Sequence, residues 1–167
     1  MKSSSYLNRI EYDSQKAKNH KYNVDFYTTW AFENINIAAN EGNPNAQYYL
    51  GEMYSQGNRV NKDNTKALNW YRLAAEQGHY NAQYLLGEKY QNGNGIEKDD
   101  KIAANWYLKA AEQGSSHAQF NIGTMYQLGQ GVKKDLDKAE KWYRKSAEHG
   151  HLKAKSALGK LLDQKEK

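Results

Sequence analysis

The sequence predicts an all-α fold, an α/α solenoid of helical hairpins about 36 residues long, and three observations predict it. The decapeptide NWYRLAAEQG, Asn69 to Gly78, returns as NWYLKAAEQG from Asn105 to Gly114 and as KWYRKSAEHG from Lys141 to Gly150. Each copy therefore starts 36 residues after the last. Within each copy the apolar residues step by three and four, which is the period of one face of a helix. The chain also has a single proline, with Ala, Leu, Glu and Lys scattered throughout, a composition that favours helix over sheet.

Three full copies follow in one register: 46–81, 82–117 and 118–153. Each opens on A-x-x-x-[LI]-G-x-x-Y, carried by Ala46, Leu50, Gly51 and Tyr54, by Ala82, Leu86, Gly87 and Tyr90, and by Ala118, Ile122, Gly123 and Tyr126. Positions 46, 49, 50, 53 and 54 predict one apolar face on a first helix. A glycine inside a helix costs about 1 kcal/mol relative to alanine. Its return at three equivalent places predicts the close approach of another helix there.

The first helix should stop at SQGNRV, QNGNGI and LGQGV, where paired glycines permit left-handed backbone. Arg59 replaces the second glycine in the first copy, which predicts a loop that is slightly strained or differently shaped. Asp63, Asp99 and Asp135 suit the N-cap of a second helix. That helix carries Ala67, Trp70, Tyr71, Ala74 and Ala75, repeated as Ala103, Trp106, Tyr107, Ala110 and Ala111. The third copy keeps the stripe but has Ser146 at one alanine position. Gly78, Gly114 and Gly150 close it. A lone pair of such helices leaves an aromatic face wet, so neighbouring copies must cover it. If Trp106 is buried in that way, its truncation to alanine should cost about 3–5 kcal/mol.

The ends fit the same scheme more loosely. Ala154, Ala157, Leu158, Leu161 and Leu162 repeat the first-helix stripe, with Gly159 in its place, so 154–167 reads as a capping helix and polar tail. Residues 24–45 read as a degenerate half-repeat: Ala31, Ala38, Ala39 and Gly42 match the second helix, Asn34 stands where Trp is expected, and Val24 matches Val60. Residues 1–23 fit the first-helix pattern badly and read as a divergent capping helix, through Leu7 and Ile10, or a loose segment.

Net charge is +5, but its distribution argues against nucleic acid. Residues 1–24 and 153–167 each carry five Lys or Arg against two acids, whereas 25–152 has 14 basic and 15 acidic residues. The repeated body thus has no basic face for tracking phosphates. No run of 18 apolar residues exists, so no membrane helix is expected. The first fifteen residues lack the apolar run of a secretory leader. With no cysteine in the chain, a cytoplasmic location is expected, delivery by a specialised secretion system being the exception.

The motif A-x-x-x-L-G-x-x-Y, a Gly-x-Gly loop, an aspartate cap and K-A-x-x-W-Y-x-x-A-A-x-x-G resembles the Sel-one-like repeat (SLR) family of tetratricopeptide-like (TPR-like) helical repeats. The resemblance covers 46–162 densely and 24–42 loosely. It implies a right-handed superhelix with the first helices on its concave side, and a non-enzymatic adaptor that binds a partner protein or peptide there. The groove positions it implies are Asn45, Tyr48 and Glu52, then Asn81, Tyr84 and Glu88, then His117, Phe120 and Thr124. Tyr48, Tyr84 and Phe120 would form an aromatic ladder that grips a peptide, or help neighbouring hairpins pack. A toxin-neutralising or host-directed protein on the same scaffold is the alternative, and the end repeats offer surfaces for self-association.

Chemistry finds little support. His149 and His151 flank Gly150, and His79 sits where His151 does, but histidines beside turn glycines read as solvated or as helix C-terminal cations. No third ligand with metal spacing joins them. Glu52 and Glu88 would lie on adjacent hairpins, about 10 Å apart, too far to share a proton, with no base or oxyanion donor nearby, and read as solvated groove charges. QNGNGIEKDD lacks the phosphate-loop pattern and follows a helix. Cysteine-rich relatives of the family are linked to penicillin binding and β-lactamase-type activity, but this chain has neither cysteine nor an S-x-x-K set. No catalytic residue, metal site or cofactor is therefore expected.

Overall fold

Helix starts and stops in this chain are written in short side chains and glycines. The computed structural model describes residues 24–165, with side chains from residue 31 onward. Among these residues there are eight helices and no strand: α1 (Val24–Asn40), α2 (Pro44–Gln56), α3 (Asn64–Glu76), α4 (Tyr80–Asn92), α5 (Asp100–Glu112), α6 (Ser116–Leu128), α7 (Leu136–Glu148) and α8 (Leu152–Lys165). The chain divides into two units, one ending at Gln77 with α1–α3 and one beginning at Gly78 with α4–α8. Leu7 and Ile10 lie outside the described residues.

The aspartate caps stand as expected. Asp63 and Asp135 accept from the backbone N–H of Lys66 and Lys138 at 2.9 Å, and Asp99 from those of Lys101 and Ile102. The first helices end on Gly57, Gly93 and Gly129 at φ near +70°, each donating back to a carbonyl of the last turn. Arg59 sits at φ +64°, a conformation that costs an L-residue about 1 kcal/mol. Its counterpart Gly131 has a second reason to be glycine, because a Cβ there would collide with the carbonyl of Asp100.

α1 departs from expectation. It is helical from Val24, whose counterpart Val60 lies in a loop. The reason is visible in sequence: Lys21 and Tyr27 stand where the repeats have Gly57 and Asp63, so the usual stop and cap are absent.

Each hairpin closes on a glycine–tyrosine contact. A Cβ on Gly51, Gly87 or Gly123 would lie 2.7, 2.6 or 2.8 Å from the ring of Tyr71, Tyr107 or Tyr143. The three tyrosines are at most 2% exposed and are the largest fully buried side chains among the described residues. The motif glycine thus admits an aromatic ring from the second helix, which specifies what approaches it.

Tryptophan has a different place. Trp142, 8% exposed, packs into a cluster that joins Ala104 and Ala111 of α5 to Ile122 and Met125 of α6, and Trp70 packs half-buried on the cluster of Ala39, Ala46 and Leu50. Trp106 is also only half-buried, with the Lys109 ammonium 4.4 Å from its ring centroid. The full burial assumed for Trp106 is therefore corrected: the ring sealed inside is the next residue, Tyr107. Tyr49, placed by its spacing on the apolar face of α2, is 44% exposed, because buried Gln47 and Gly51 take that side of the helix instead.

That glutamine is the registration device between repeats. Gln47 Nε2 donates to the Ala39 carbonyl at 3.1 Å, while its Oε1 accepts from Gln77 at 2.7 Å, joining α1, α2 and the end of α3. In the second unit Gln119 donates to the Ala111 carbonyl and meets His149 Nδ1, each at 3.0 Å, and Gln113 donates to Gln83. A buried amide needs these partners. Ser146, in an alanine position, is buried and donates to the Ser116 carbonyl at 2.7 Å.

Two substitutions separate the ring contact from simple helix propensity. Gly87→Ala should destabilise the chain by about 1–3 kcal/mol through overpacking on Tyr107, measured by urea unfolding. Gly159→Ala, with none of the described residues within 4 Å of its would-be Cβ, should stabilise by up to about 1 kcal/mol. Tyr107→Ala should cost about 3–5 kcal/mol and Trp106→Ala clearly less; the reverse order would misplace the core.

Candidate functional site

The outward positions of the first helices are set by the buried ones. With Ala, Gln, Leu or Ile and Gly turned inward, the residues between them are left at the surface. In the first unit these include Asn45, exposed, and Tyr48 and Glu52, half-buried. The Tyr48 ring lies 5.9 Å from that of Tyr71, centroid to centroid. The Tyr71 hydroxyl donates to the Glu52 carboxylate, and Gln56 Nε2 donates to its other oxygen at 3.0 Å. Burial, and then the bond to Glu52, pushes the Tyr71 hydroxyl well above its ordinary value. Glu52 is thus a bonded acceptor over the core tyrosine, where a solvated charge was expected.

The second unit holds the fuller set. Asn81, Tyr84, Glu88, Phe120 and Thr124 are half-buried and His117 is exposed. The Tyr84 hydroxyl donates to Glu88 at 2.9 Å, and burial together with Glu88 pushes it up to about 12. Thr124 donates to the Phe120 carbonyl, and the Tyr143 hydroxyl lies within bonding distance of Thr124 and Gln127. The rings of Tyr84 and Phe120 sit 5.8 and 5.7 Å from the core rings of Tyr107 and Tyr143. These aromatics do help to pack their own hairpins.

They also continue sideways through imidazoles. His117 lies 5.9 Å from Tyr84 and 5.0 Å from His151, which stacks on Phe120 at 4.8 Å with ring planes 25° apart. Tyr84, His117, His151 and Phe120 therefore form one row. His151 was not among the residues expected at this surface. Its signal was present, since it follows the closing glycine as His79 does, but that position reads equally as loop.

The structure gives both histidines a definite task. Nδ1 of His79 and Nδ1 of His151 accept from the N–H of Ala82 and Ala154 at 3.2 Å, capping α4 and α8 as Asn43 and Ser115 cap α2 and α6. An accepting Nδ1 requires a neutral ring protonated at Nε2. They are N-terminal caps, contrary to the expected loop residues or C-terminal cations. Burial holds both below the ordinary histidine value, and at His151 the charges of His117 and Lys153 act in the same direction. His149 ends α7 and binds Gln119.

Among the described residues no three His, Asp or Glu side chains converge as a metal set requires, and no buried side-chain polar atom lacks a partner. No described helix is long and apolar enough to cross a membrane.

Comparison with known proteins agrees with the repeat geometry. A family model for the Sel1 repeat matches residues 44–79, 81–115 and 116–151. A solved Sel1 repeat protein from Oxalobacter formigenes is 37% identical, covering 77% of this chain and 96% of its own, with a TM-score of 0.75. c5321, a protective antigen of uropathogenic Escherichia coli strains displaying an SLR fold, is 46% identical over 71% of this chain, TM-score 0.68, although the match spans 26% of that longer chain. Helicobacter pylori cysteine rich protein B is 25% identical over 76% of this chain and 96% of its own, TM-score 0.60. A search of curated protein sequences finds no significant match.

The capping histidines make stability depend on pH. Their folded values lie below the ordinary 6.5, so on acidification the unfolded chain takes up protons at these positions first. Their contribution is complete above about pH 6.5 and is lost as pH falls through the lower folded values. The urea midpoint should drop between pH 7.5 and 5. A His79→Asn, His151→Asn double variant, which keeps a capping acceptor, should flatten that slope. An unchanged slope would assign the proton uptake elsewhere.

Proposed function

Because the chain belongs to the Sel1 repeat family, whose members are generally protein-interaction modules, we propose that it is a non-enzymatic adaptor that binds a partner protein or peptide on its first-helix face. The observation that carries this reading is the row of Tyr84, His117, His151 and Phe120 in the second unit. A packing role accounts for the contacts of Tyr84 with Tyr107 and of Phe120 with Tyr143. It does not account for an exposed histidine set edge-on between two more rings. Aromatic side chains at a partly open surface contribute large contact areas at low entropic cost, which is why they dominate binding hot spots.

The first unit offers the related set Asn45, Tyr48 and Glu52. Its tyrosine and carboxylate are oriented by Tyr71, Gln56 and each other's hairpin, so they present a fixed arrangement to a partner. Polar residues with spare bonding capacity, Asn81 and Thr124 among them, suit backbone groups of a bound segment. Catalysis has no place in this reading. The groove carboxylates Glu52 and Glu88 already accept tyrosine hydroxyls, and His79 and His151 hold helix caps.

Affinity capture with the wild-type chain and a Tyr84→Leu, His117→Ala, Phe120→Leu variant tests the proposal. Leucine retains much of the volume that covers Tyr107 and Tyr143, so a cooperative melt should confirm that the variant folds. The specific partner set should disappear; an identical set captured by the folded variant would remove this face from the account.

A further inference from the structure

We propose that Asn94 is a site of spontaneous covalent modification, which removes its side-chain amide and leaves an aspartyl or isoaspartyl residue in the loop between α4 and α5. The site lies outside the aromatic row, so it stands or falls independently of the adaptor reading.

The repeats supply their own comparison. Asn58–Arg59, Asn94–Gly95 and Gln130–Gly131 hold the same place in the loop after a first helix. Their backbones are alike. The first residue of each pair donates its N–H to the carbonyl of Met53, Lys89 or Met125, at 2.9, 3.1 and 3.0 Å. The second residue has φ of +64°, +80° or +65°, and its N–H meets no acceptor among the described residues. The side chains differ, and among these pairs only the second copy joins an asparagine to a glycine.

That pairing opens a reaction. Asn94 and Gly95 are exposed, and no described atom comes within 4 Å of where a Gly95 Cβ would be. The Gly95 nitrogen, on losing its proton to solvent, attacks Cγ of Asn94. A new C–N bond forms, the bond from Cγ to the amide nitrogen breaks, and ammonia leaves with a proton taken from water. Water then opens the succinimide ring at either carbonyl. One product is aspartate with the native main chain; the other is isoaspartate, with an extra main-chain carbon. In the first copy Arg59 places a Cβ beside the attacking nitrogen. In the third, Gln130 must close a larger ring and freeze a further rotor.

The chain has a second Asn–Gly pair, Asn92–Gly93, and there the fold intervenes. Asn92 is the last residue of α4, and helical ψ turns the next nitrogen away from its side chain. The Gly93 N–H is also held by the Lys89 carbonyl. Two pairs that are chemically alike in the unfolded chain are thus distinguished in the folded one. Modification at Asn94 would act on the hairpin, because its loop is pinned at one end by the bond to Lys89 and at the other by the Asp99 N–H on the Tyr90 carbonyl at 2.9 Å. An extra carbon between these bonds pulls against the cap that Asp99 places on α5, and a new carboxylate just past the C-terminus of α4 is disfavoured by the helix dipole.

The test incubates the intact chain in mildly alkaline buffer well below its melting temperature, beside the same chain in urea and a synthetic peptide of residues 89–99, until the peptide is converted. Peptide mapping by mass spectrometry locates each amide turned to acid, and an aspartate-specific endoprotease separates aspartate from isoaspartate. In the folded chain Asn94 should convert at least about tenfold faster than Asn92 or Asn58. In urea and in the peptide, Asn92 and Asn94 should convert at similar rates. The modified chain should melt at a lower temperature than the fresh one. Asn94→Gln and Gly95→Arg, which copy the third and first repeats, should each suppress the reaction in a chain that still melts cooperatively. An intact Asn94 beside a converted peptide, faster conversion at Asn92 in the folded chain, or an undiminished rate in Gly95→Arg would overturn the proposal.

Discussion

Each of the three helical hairpins is arranged around a ring set against a bare helix backbone. Gly51, Gly87 and Gly123 leave no side chain on one spot of each first helix, and Tyr71, Tyr107 and Tyr143 fill it. The cost in helix propensity, about 1 kcal/mol per glycine, is offset by complete burial of an aromatic side chain, one of the largest apolar surfaces a residue can withdraw from water. Because the ring comes within van der Waals distance of the helix, the two helices of a hairpin have one depth and one register. The phenolic oxygens stay within the hairpins, bonded to Glu52, Gln91, Thr124 and Gln127 of the first helices.

This contact also links core and surface. The outward aromatics Tyr48, Tyr84 and Phe120 each rest on the buried tyrosine of their hairpin, and the carboxylates of Glu52 and Glu88 are held by tyrosine hydroxyls. The face proposed to bind partners is therefore preorganised by the same rings that hold the hairpins together. Preorganisation lowers the entropy lost when a partner docks. In the second unit the imidazole of His151 adds a further constraint, since its Nδ1 is committed to the cap of α8 while its ring lies on Phe120.

The repeats are equivalent in backbone and unequal in side chains, and the differences indicate where each element has become specialised. His149 stands where Gln77 and Gln113 do and still reaches the buried glutamine. Ser146 replaces an alanine and finds a carbonyl. On α8 the outward positions turn to lysine, and the terminal turn is tied back to α7 by Lys165, which binds Asp137 at 2.6 Å and Glu140 at 2.8 Å. The helix is thus fixed to α7 by its own chain.

By itself the sequence determined the helical hairpins, their 36-residue period, the aspartate caps and the special role of the motif glycine, because each of these follows from local rules of spacing and backbone freedom. It also displayed, unread, the glutamine that follows the first alanine of every copy, Gln47, Gln83 and Gln119. A polar residue in an apolar stripe reads as surface until its partners are known. Only the tertiary structure decided that Tyr107 is sealed and Trp106 is not, since both occupy the same helical stripe and burial depends on which neighbour arrives. The same holds for His79 and His151. A histidine after a glycine is compatible with loop, cation or cap, and the choice is made by where the next helix begins and which amide points at the ring.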